Sequence, residues 1–176
     1  MGEYAETLSK GCIWGLDILI FVSLGTNDKN FTRLLDCIDK QISLGNIKDK
    51  VIVQSGYTKY ESKNMEIIDL MPMEEFKKNI ETCDILITHG GVGTILDGLK
   101  LGKKIIAFPR LSKYQEHVND HQVEIISEFY ACGYILTGEM DDIVNLIDRC
   151  KDFKPKSYKS NNYKFNKMIR DFIDNI

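Results

Sequence analysis

Several features of common protein classes are missing from this sequence. Its five cysteines are widely separated and odd in number, and they include no C-x-x-C pair. That pattern argues against a zinc site and a disulfide framework, and favours the reducing cytoplasm. No apolar run is long enough to span a bilayer, and the net charge of -3 leaves no general basic excess for binding nucleic acid. With 43% hydrophobic and 28% charged residues, we expect a soluble globular protein.

A dinucleotide fingerprint is also missing. The first strongly apolar run, residues 18–22, is followed by Ser-Leu-Gly-Thr-Asn, where a dinucleotide-binding protein would carry G-x-G-x-x-G. An NAD or FAD site therefore loses its main support, and we expect no cofactor.

The most informative stretch that is present is residues 84–122. It opens with an apolar run, a glycine-rich turn and a helical pattern. A strand that feeds such a turn leaves unpaired N–H groups at the positive end of a helix dipole, which suits a phosphate. Gly90, Gly91 and Gly93 would let a phosphate approach the backbone, and Thr94 could add a hydroxyl donor. Taken alone, the glycines could equally make only a tight turn.

The second half of this stretch favours a binding site. Residues 103–108 predict the next parallel strand, and a dense polar cluster, residues 116–122, follows Pro109 and Arg110. Ligands of open α/β sheets bind beyond the carboxyl ends of the strands. We therefore expect both loops to open onto one crevice.

Strands and helices alternate along the whole chain. This predicts an α/β fold with a Rossmann-like, doubly wound parallel sheet in a single domain, residues 18–176, after an N-terminal extension, residues 1–17. The final helix, near residues 163–174, has a wide apolar face that could contact a partner or simply join the core. The predicted strands are residues 18–22, 50–54, 65–69, 84–88, 103–108 and 134–136.

The glycine turn and the polar cluster together resemble a known family. The sequence His-Gly-Gly-x-Gly-Thr at residues 89–94, Asp97, Pro109 and the cluster at 119–124 resemble the C-terminal, donor-binding half of family 28 glycosyltransferases of the GT-B type. Within that family the chain looks like short exopolysaccharide glycosyltransferase subunits of the PssE kind. The catalytic subunit of the dolichol-linked N-acetylglucosaminyltransferase is similar. The likeness runs from about Ile18 to the C-terminus.

The resemblance implies an activity and partners. The expected reaction is an inverting, β-linkage-forming transfer from a UDP-sugar, itself a substrate, to a lipid-linked saccharide acceptor in surface polysaccharide biosynthesis. No Asp-x-Asp pair is present, which fits transfer without a metal ion. A length of 176 residues suits one domain and is too short for a complete two-domain GT-B enzyme. We therefore expect a heteromeric complex with a membrane-associated, acceptor-binding subunit at the cytoplasmic face of the membrane.

The resemblance also implies roles for residues before and after the glycine turn. Gly25, Thr26 and Asn27 should face the donor phosphates and sugar, and Leu70 and Met71 should cover the uracil ring. Met71 could equally be a core residue. Asp97 should accept hydrogen bonds from the ribose hydroxyls, although a helix N-terminus alone would favour an acidic residue there.

His89 and the later polar residues complete the candidate site. His89 could hydrogen-bond the diphosphate or act as a base, and we favour the first role. The catalytic base could then belong to the partner, with His89 the best candidate in this chain. Arg110 could pair with a phosphate or with a uronic acid carboxylate, or be an exposed loop charge. Asn119, His121 and Gln122 offer donors to an anion or to sugar hydroxyls.

Two other functions remain open. A UDP-sugar 2-epimerase shares the GT-B arrangement, and a non-catalytic module could bind a nucleotide sugar or enhance a true transferase. The donor sugar is also open, because similar proteins use galactose, glucose, glucuronic acid or N-acetylglucosamine.

Overall fold

The computed structural model describes residues 18–159. Strands and helices alternate through this range, with two short 3-10 turns at Ser112–Tyr114 and Met140–Asp142. The strands are β1 (Leu19–Ser23), β2 (Lys50–Gln54), β3 (Glu66–Ile68), β4 (Ile85–His89) and β5 (Lys104–Phe108). The helices are α1 (Thr32–Ser43), α2 (Met73–Thr82), α3 (Val92–Lys100), α4 (His121–Ala131) and α5 (Ile143–Asp152).

The strands form one parallel sheet in the order β3-β2-β1-β4-β5. β1 and β4 lie near its centre, and every residue of β4 is buried. Their sequences are nearly continuous apolar runs because helices cover both faces of the sheet. Ser23 at the end of β1 is in register with Gln54 of β2 and with Thr88 of β4, so three strand ends meet at the same edge.

Each face of the sheet has its own hydrophobic core. One core includes Leu34 and Ile38 of α1 and Leu146 of α5, and the other includes Ile95 of α3 and Ile126 of α4. Burying a side chain of this size stabilises the fold by roughly 1.5–3 kcal/mol. The predicted doubly wound, Rossmann-like sheet is therefore confirmed.

The predicted strand at residues 134–136 is wrong. Only Leu136 pairs with β5, through its N–H to Ile105 O at 2.8 Å and its carbonyl to Ala107 N–H at 3.0 Å. The Thr137 hydroxyl then donates to Ala107 O at 2.8 Å, where the next backbone N–H of a sixth strand would donate. The pairing therefore stops after a single bridge. Of the other predicted strands, residues 50–54 coincide with β2, and each of the rest differs from the structure by one residue at one or both ends.

Two predictions lie outside the described residues. They are the extension at residues 1–17 and the final helix near residues 163–174. Between residues 18 and 159, no helix combines the length and the apolar character needed to cross a bilayer.

Candidate functional site

A cleft of about 350 Å³ opens at the carboxyl edge of the sheet. It lies between the residues that lead into α2 and the first turns of α3, with the ends of β1, β2 and β4 below it. Its lining residues are Ser23, Gly25, Thr26, Gln54, Leu70, Met71, Met73, Phe76, His89, Gly91, Gly93, Thr94 and Asp97.

The two walls of the cleft differ in chemistry. The wall that precedes and opens α2 is apolar and carries Leu70, Met71, Met73 and Phe76. Leu70 and Met73 are 51% and 64% exposed, so this wall offers apolar surface to a ligand. The α3 wall presents backbone amides together with the side chains of Thr94 and Asp97. The cleft can therefore hold a ligand with a flat apolar part and an anionic part.

The start of α3 is open to an anion. Gly91 is the N-cap in an extended conformation, and no side chain caps the helix. Ile95 N–H closes the first turn onto Gly91 O, whereas the amides of Val92, Gly93 and Thr94 have no partner within residues 18–159. Amides of this kind carry the positive end of the helix dipole.

The Gly90 amide does not belong to this set. It donates to Gln122 Oε1 at 3.0 Å in a buried hydrogen bond, and neither residue lines the cleft. A Cβ on Gly90 would lie 2.7 Å from Gln122 Cβ, so the glycine permits close packing against α4. The ligand-binding role of Gly90 stays a prediction, and the row of amides without a partner begins after it.

His89 lies between two glycines. It is 9% exposed, and a Cβ on either Gly25 or Gly91 would approach its ring closer than 3.0 Å. Gly25 also has a φ of 74°, which favours glycine. Alanine at either position would therefore displace the ring.

Burial, and secondly the charge of Arg110, lower the pKa of His89 to about 4. The imidazole is therefore neutral near pH 7, with one N–H and one lone pair to offer. Its Nδ1 lies 3.4 Å from the Thr88 hydroxyl, and the ring lines the cleft. A group with this pKa hydrogen-bonds readily but is a weak base, which supports the hydrogen-bonding role.

Arg110 is fully buried, so the expectation of an exposed loop charge is wrong, while its pairing with a phosphate or a carboxylate stays a prediction. Its guanidinium donates to Leu24 O and Lys29 O, both at 2.7 Å, and lies 4.9 Å from the centre of the Phe31 ring. The backbone carbonyls of the β1–α1 loop take these two donors, whereas the buried Nε–H has no partner within residues 18–159, and Arg110 does not line the cleft. Burial lowers its pKa to about 10, so it remains a cation at neutral pH.

A second arginine, Arg33 in the first turn of α1, is hydrogen-bonded to the loop after β5. Glu116 is 3% exposed, and Arg33 donates to its carboxylate from Nε at 2.9 Å and from Nη2 at 2.8 Å. The Leu111 N–H also donates to this carboxylate at 3.0 Å. The first turn of α1 and the loop after β5 are therefore joined by charged hydrogen bonds, which are stronger than neutral ones.

The polar cluster that opens α4 does not enter the cleft. Gln122 is 4% exposed and its Oε1 accepts from both Gly90 N and Arg110 N. Asn119 and His121 are exposed and bond to each other, with the His117 ring 4.9 Å from that of His121. The glycine turn after β4 and the loop after β5 thus lie at the same edge of the sheet. Only the glycine turn lines the cleft.

Sequence comparison bears directly on this architecture. Residues 19–176 match the sequence model of the glycosyltransferase family 28 C-terminal domain. The chain belongs to this family. The resemblance inferred from the glycine turn and the polar cluster is therefore confirmed.

This family 28 domain is similar to curated proteins called UDP-N-acetylglucosamine transferase subunit ALG13. It is 30% identical over 100 residues to the Candida albicans protein, with 55% of this chain and 33% of that protein covered. It is 24% identical over 151 residues to the Homo sapiens protein, with 76% and 13% covered. The chain thus spans a third or less of the length of these two relatives.

Solved structures share the fold of the family 28 domain. The glycotransferase of kitacinnamycin aligns with a TM-score of 0.57 and 17% identity, over 86% of this chain and 39% of that one. The solution structure of ALG13 aligns with a TM-score of 0.53 and 18% identity, over 84% and 92%. MurG from Acinetobacter baumannii aligns with a TM-score of 0.53 and 15% identity, over 76% and 41%.

Nine of the predicted site residues of the family 28 domain meet in the cleft, and the others do not. Asn27 lies outside it, and its Oδ1 accepts from Lys29 N at 2.8 Å. Sequence reasoning assigned no site role to Ser23, Gln54, Met73 or Phe76. The nine are Gly25, Thr26, Leu70, Met71, His89, Gly91, Gly93, Thr94 and Asp97.

Asp97 of the family 28 domain lies in the second turn of α3. Its carboxylate accepts from Lys100 Nζ at 3.1 Å, and the side chain is 40% exposed, so it is free to accept further hydrogen bonds. Within residues 18–159, no group of three or more His, Cys, Asp or Glu side chains is placed to hold a metal ion.

Proposed function

We propose that this family 28 domain binds the UDP moiety of a sugar donor in its cleft and acts as the donor-binding subunit of an inverting glycosyltransferase. One observation carries the proposal. The amides of Gly93 and Thr94, which have no partner within residues 18–159, belong to residues that line a cleft whose opposite wall is apolar. A nucleoside diphosphate offers the matching halves, a flat base and an anion.

The diphosphate is assigned to the α3 end of the cleft. The amides of Val92, Gly93 and Thr94 point along the helix dipole, which favours an anion by about 0.3–1 kcal/mol, and by up to roughly 2 kcal/mol when partly buried. His89 adds a neutral ring donor beside them. These donors are fixed before the reaction, so they would stabilise the charge that develops on UDP as the sugar leaves.

The nucleoside is assigned to the opposite wall. Leu70, Met71 and Phe76 offer an apolar surface to the base, and covering the exposed Leu70 would remove apolar area from water. Asp97 can accept the ribose hydroxyls from the side of α3.

Catalysis in this proposal needs groups from a second protein. An acceptor hydroxyl must lose a proton as it attacks the anomeric carbon, and His89, with a pKa of about 4, is a poor base at pH 7. The relatives are named subunits of a UDP-N-acetylglucosamine transferase. We therefore propose a membrane-associated partner at the cytoplasmic face that supplies the base and a lipid-linked saccharide acceptor. Surface polysaccharide synthesis is the proposed pathway, with metal-independent formation of a β-linkage.

Calorimetric titration of the purified chain with UDP, UDP-N-acetylglucosamine and uridine tests the donor site. We expect saturable UDP binding that is roughly tenfold or more tighter than uridine binding, because the diphosphate meets the α3 amides. UDP binding no tighter than uridine binding would contradict the assignment of the diphosphate.

A transfer assay with the partner and a lipid-linked acceptor tests the reaction. Transfer that needs both proteins is the expected result. UDP binding without transfer in the reconstituted pair would instead favour the non-catalytic module.

A further inference from the structure

The end of β1 carries a buried hydroxyl that lines the cleft. Ser23 is fully buried and lines the cleft, and its Oγ has no hydrogen-bond partner within residues 18–159. Its backbone carbonyl is satisfied, since the Thr88 hydroxyl donates to it at 3.0 Å. A buried hydroxyl without a partner costs free energy, so an unsatisfied one in a native protein calls for an explanation.

The position of Ser23 relates this hydroxyl to the anionic end of the cleft. β1 lies between β2 and β4, and the next cleft residue along the chain, Gly25, packs against the His89 ring. His89 leads directly into the turn that carries the free α3 amides. The apolar wall, by contrast, follows β3, which is two strands away from β1.

We propose that Ser23 Oγ donates a hydrogen bond to the diphosphate of the bound nucleotide. This assignment rests on the proposed function and adds a donor from the sheet to those from α3. A hydroxyl can donate or accept, and a phosphate oxygen is an acceptor only, so the Ser23 proton would point at the ligand. A hydrogen bond to a charged oxygen is stronger than one to a neutral group, which would offset the cost of leaving Oγ unpaired in the free protein.

The variant Ser23→Ala should lower the affinity for UDP without lowering the stability of the protein. Because Oγ makes no hydrogen bond within residues 18–159, removing it should leave the stability to urea unchanged or raise it. Calorimetry should show about a tenfold weaker affinity for UDP, as expected for one hydrogen bond to a charged group. The affinity for uridine should not change.

Thr58→Val is the matched control. Thr58 is fully buried, its Oγ1 accepts from Phe31 N at 3.0 Å, and it does not line the cleft. This variant should lose stability and keep the affinity for UDP, the reverse of Ser23→Ala.

Each departure from this pattern has a distinct meaning. Unchanged UDP affinity in Ser23→Ala would overturn the assignment, and an equal loss for UDP and uridine would overturn the contact with the diphosphate. A loss of stability equal to that of Thr58→Val would show that Oγ has a partner in the free protein, against the premise. If the wild-type protein fails to bind UDP, the proposed function falls together with this assignment.

Discussion

Replacing Gly90 or Gly93 by alanine adds the same methyl group to the same turn, in very different surroundings. At Gly90 the new Cβ would lie 2.7 Å from Gln122 Cβ and 3.1 Å from Gln122 O, and Gln122 is only 4% exposed. At Gly93 no atom lies within 4 Å of the new Cβ. The first change therefore overfills the interior, whereas the second adds a methyl group to the wall of the cleft.

The expected changes in the free energy of unfolding have opposite signs. Overpacking costs about 1–3 kcal/mol. Gln122 Oε1 also accepts from Gly90 N and Arg110 N, and each hydrogen bond lost by displacing it costs roughly 0.5–1.5 kcal/mol. For Gly90→Ala we expect a total loss of about 2–4 kcal/mol. Gly93 lies in α3, where alanine favours the helix, so Gly93→Ala should gain up to about 1 kcal/mol.

Urea denaturation of both variants and calorimetric titration with UDP test this pair. The slope of free energy against urea should stay the same, so that the midpoints report stability alone. Gly93→Ala should bind UDP several-fold more weakly despite its greater stability, because in the proposed site the methyl group would lie where a phosphate approaches the amides. If Gly90→Ala is as stable as the wild type, the close packing of this turn against Gln122 is not as described. If Gly93→Ala binds UDP normally, no phosphate lies against that amide.

Two further predictions concern charged and titrating groups. Asp97→Ala should weaken UDP binding by about 1–3 kcal/mol through the loss of ribose hydrogen bonds, with little change in stability, and calorimetry showing equal affinity would contradict the ribose role. Because burial lowers the pKa of His89 from 6.5 to about 4, the unfolded chain binds a proton before the folded one does, so stability falls as the pH drops from 6.5 through 4. The loss attributable to His89 is up to about 3 kcal/mol. Urea denaturation at pH 7 and pH 4.5 should therefore show a smaller pH dependence for His89→Asn than for the wild type, and equal dependence would argue against the lowered pKa.

Much of the fold follows from the sequence because its apolar runs are continuous. The residues of β1, β4 and β5 are buried on both faces, so each strand is visible as an unbroken apolar stretch. The glycine turn after β4 was equally visible and lines the cleft, whereas the loop after β5, which was expected to open onto the same crevice, does not. The single bridge at Leu136 could not be foreseen, because a side-chain hydrogen bond from Thr137 ends the pairing.

The direction of side chains beyond a strand end could not be read from the sequence. Arg110 and Gln122 have the composition of ligand-binding residues, yet both point into the interior and satisfy backbone groups of neighbouring loops. Ser23 was missed for the opposite reason, since a small polar residue after an apolar run is typical of a turn. Such choices depend on contacts between residues far apart in the chain, for example the 86 positions between Leu24 and Arg110.

The burial of Arg110 also affects how the electrostatic potential in the cleft depends on salt concentration. Surface charges attract an anion mainly in dilute buffer, since mobile ions screen them within a Debye length of about 8 Å at physiological ionic strength. Arg110 lies beneath the surface, where counterions do not reach it, and it is close enough to His89 to lower the pKa of that ring. Its effect on the pKa of His89 should therefore persist in concentrated salt, so that the protonation of this cleft residue depends little on ionic strength.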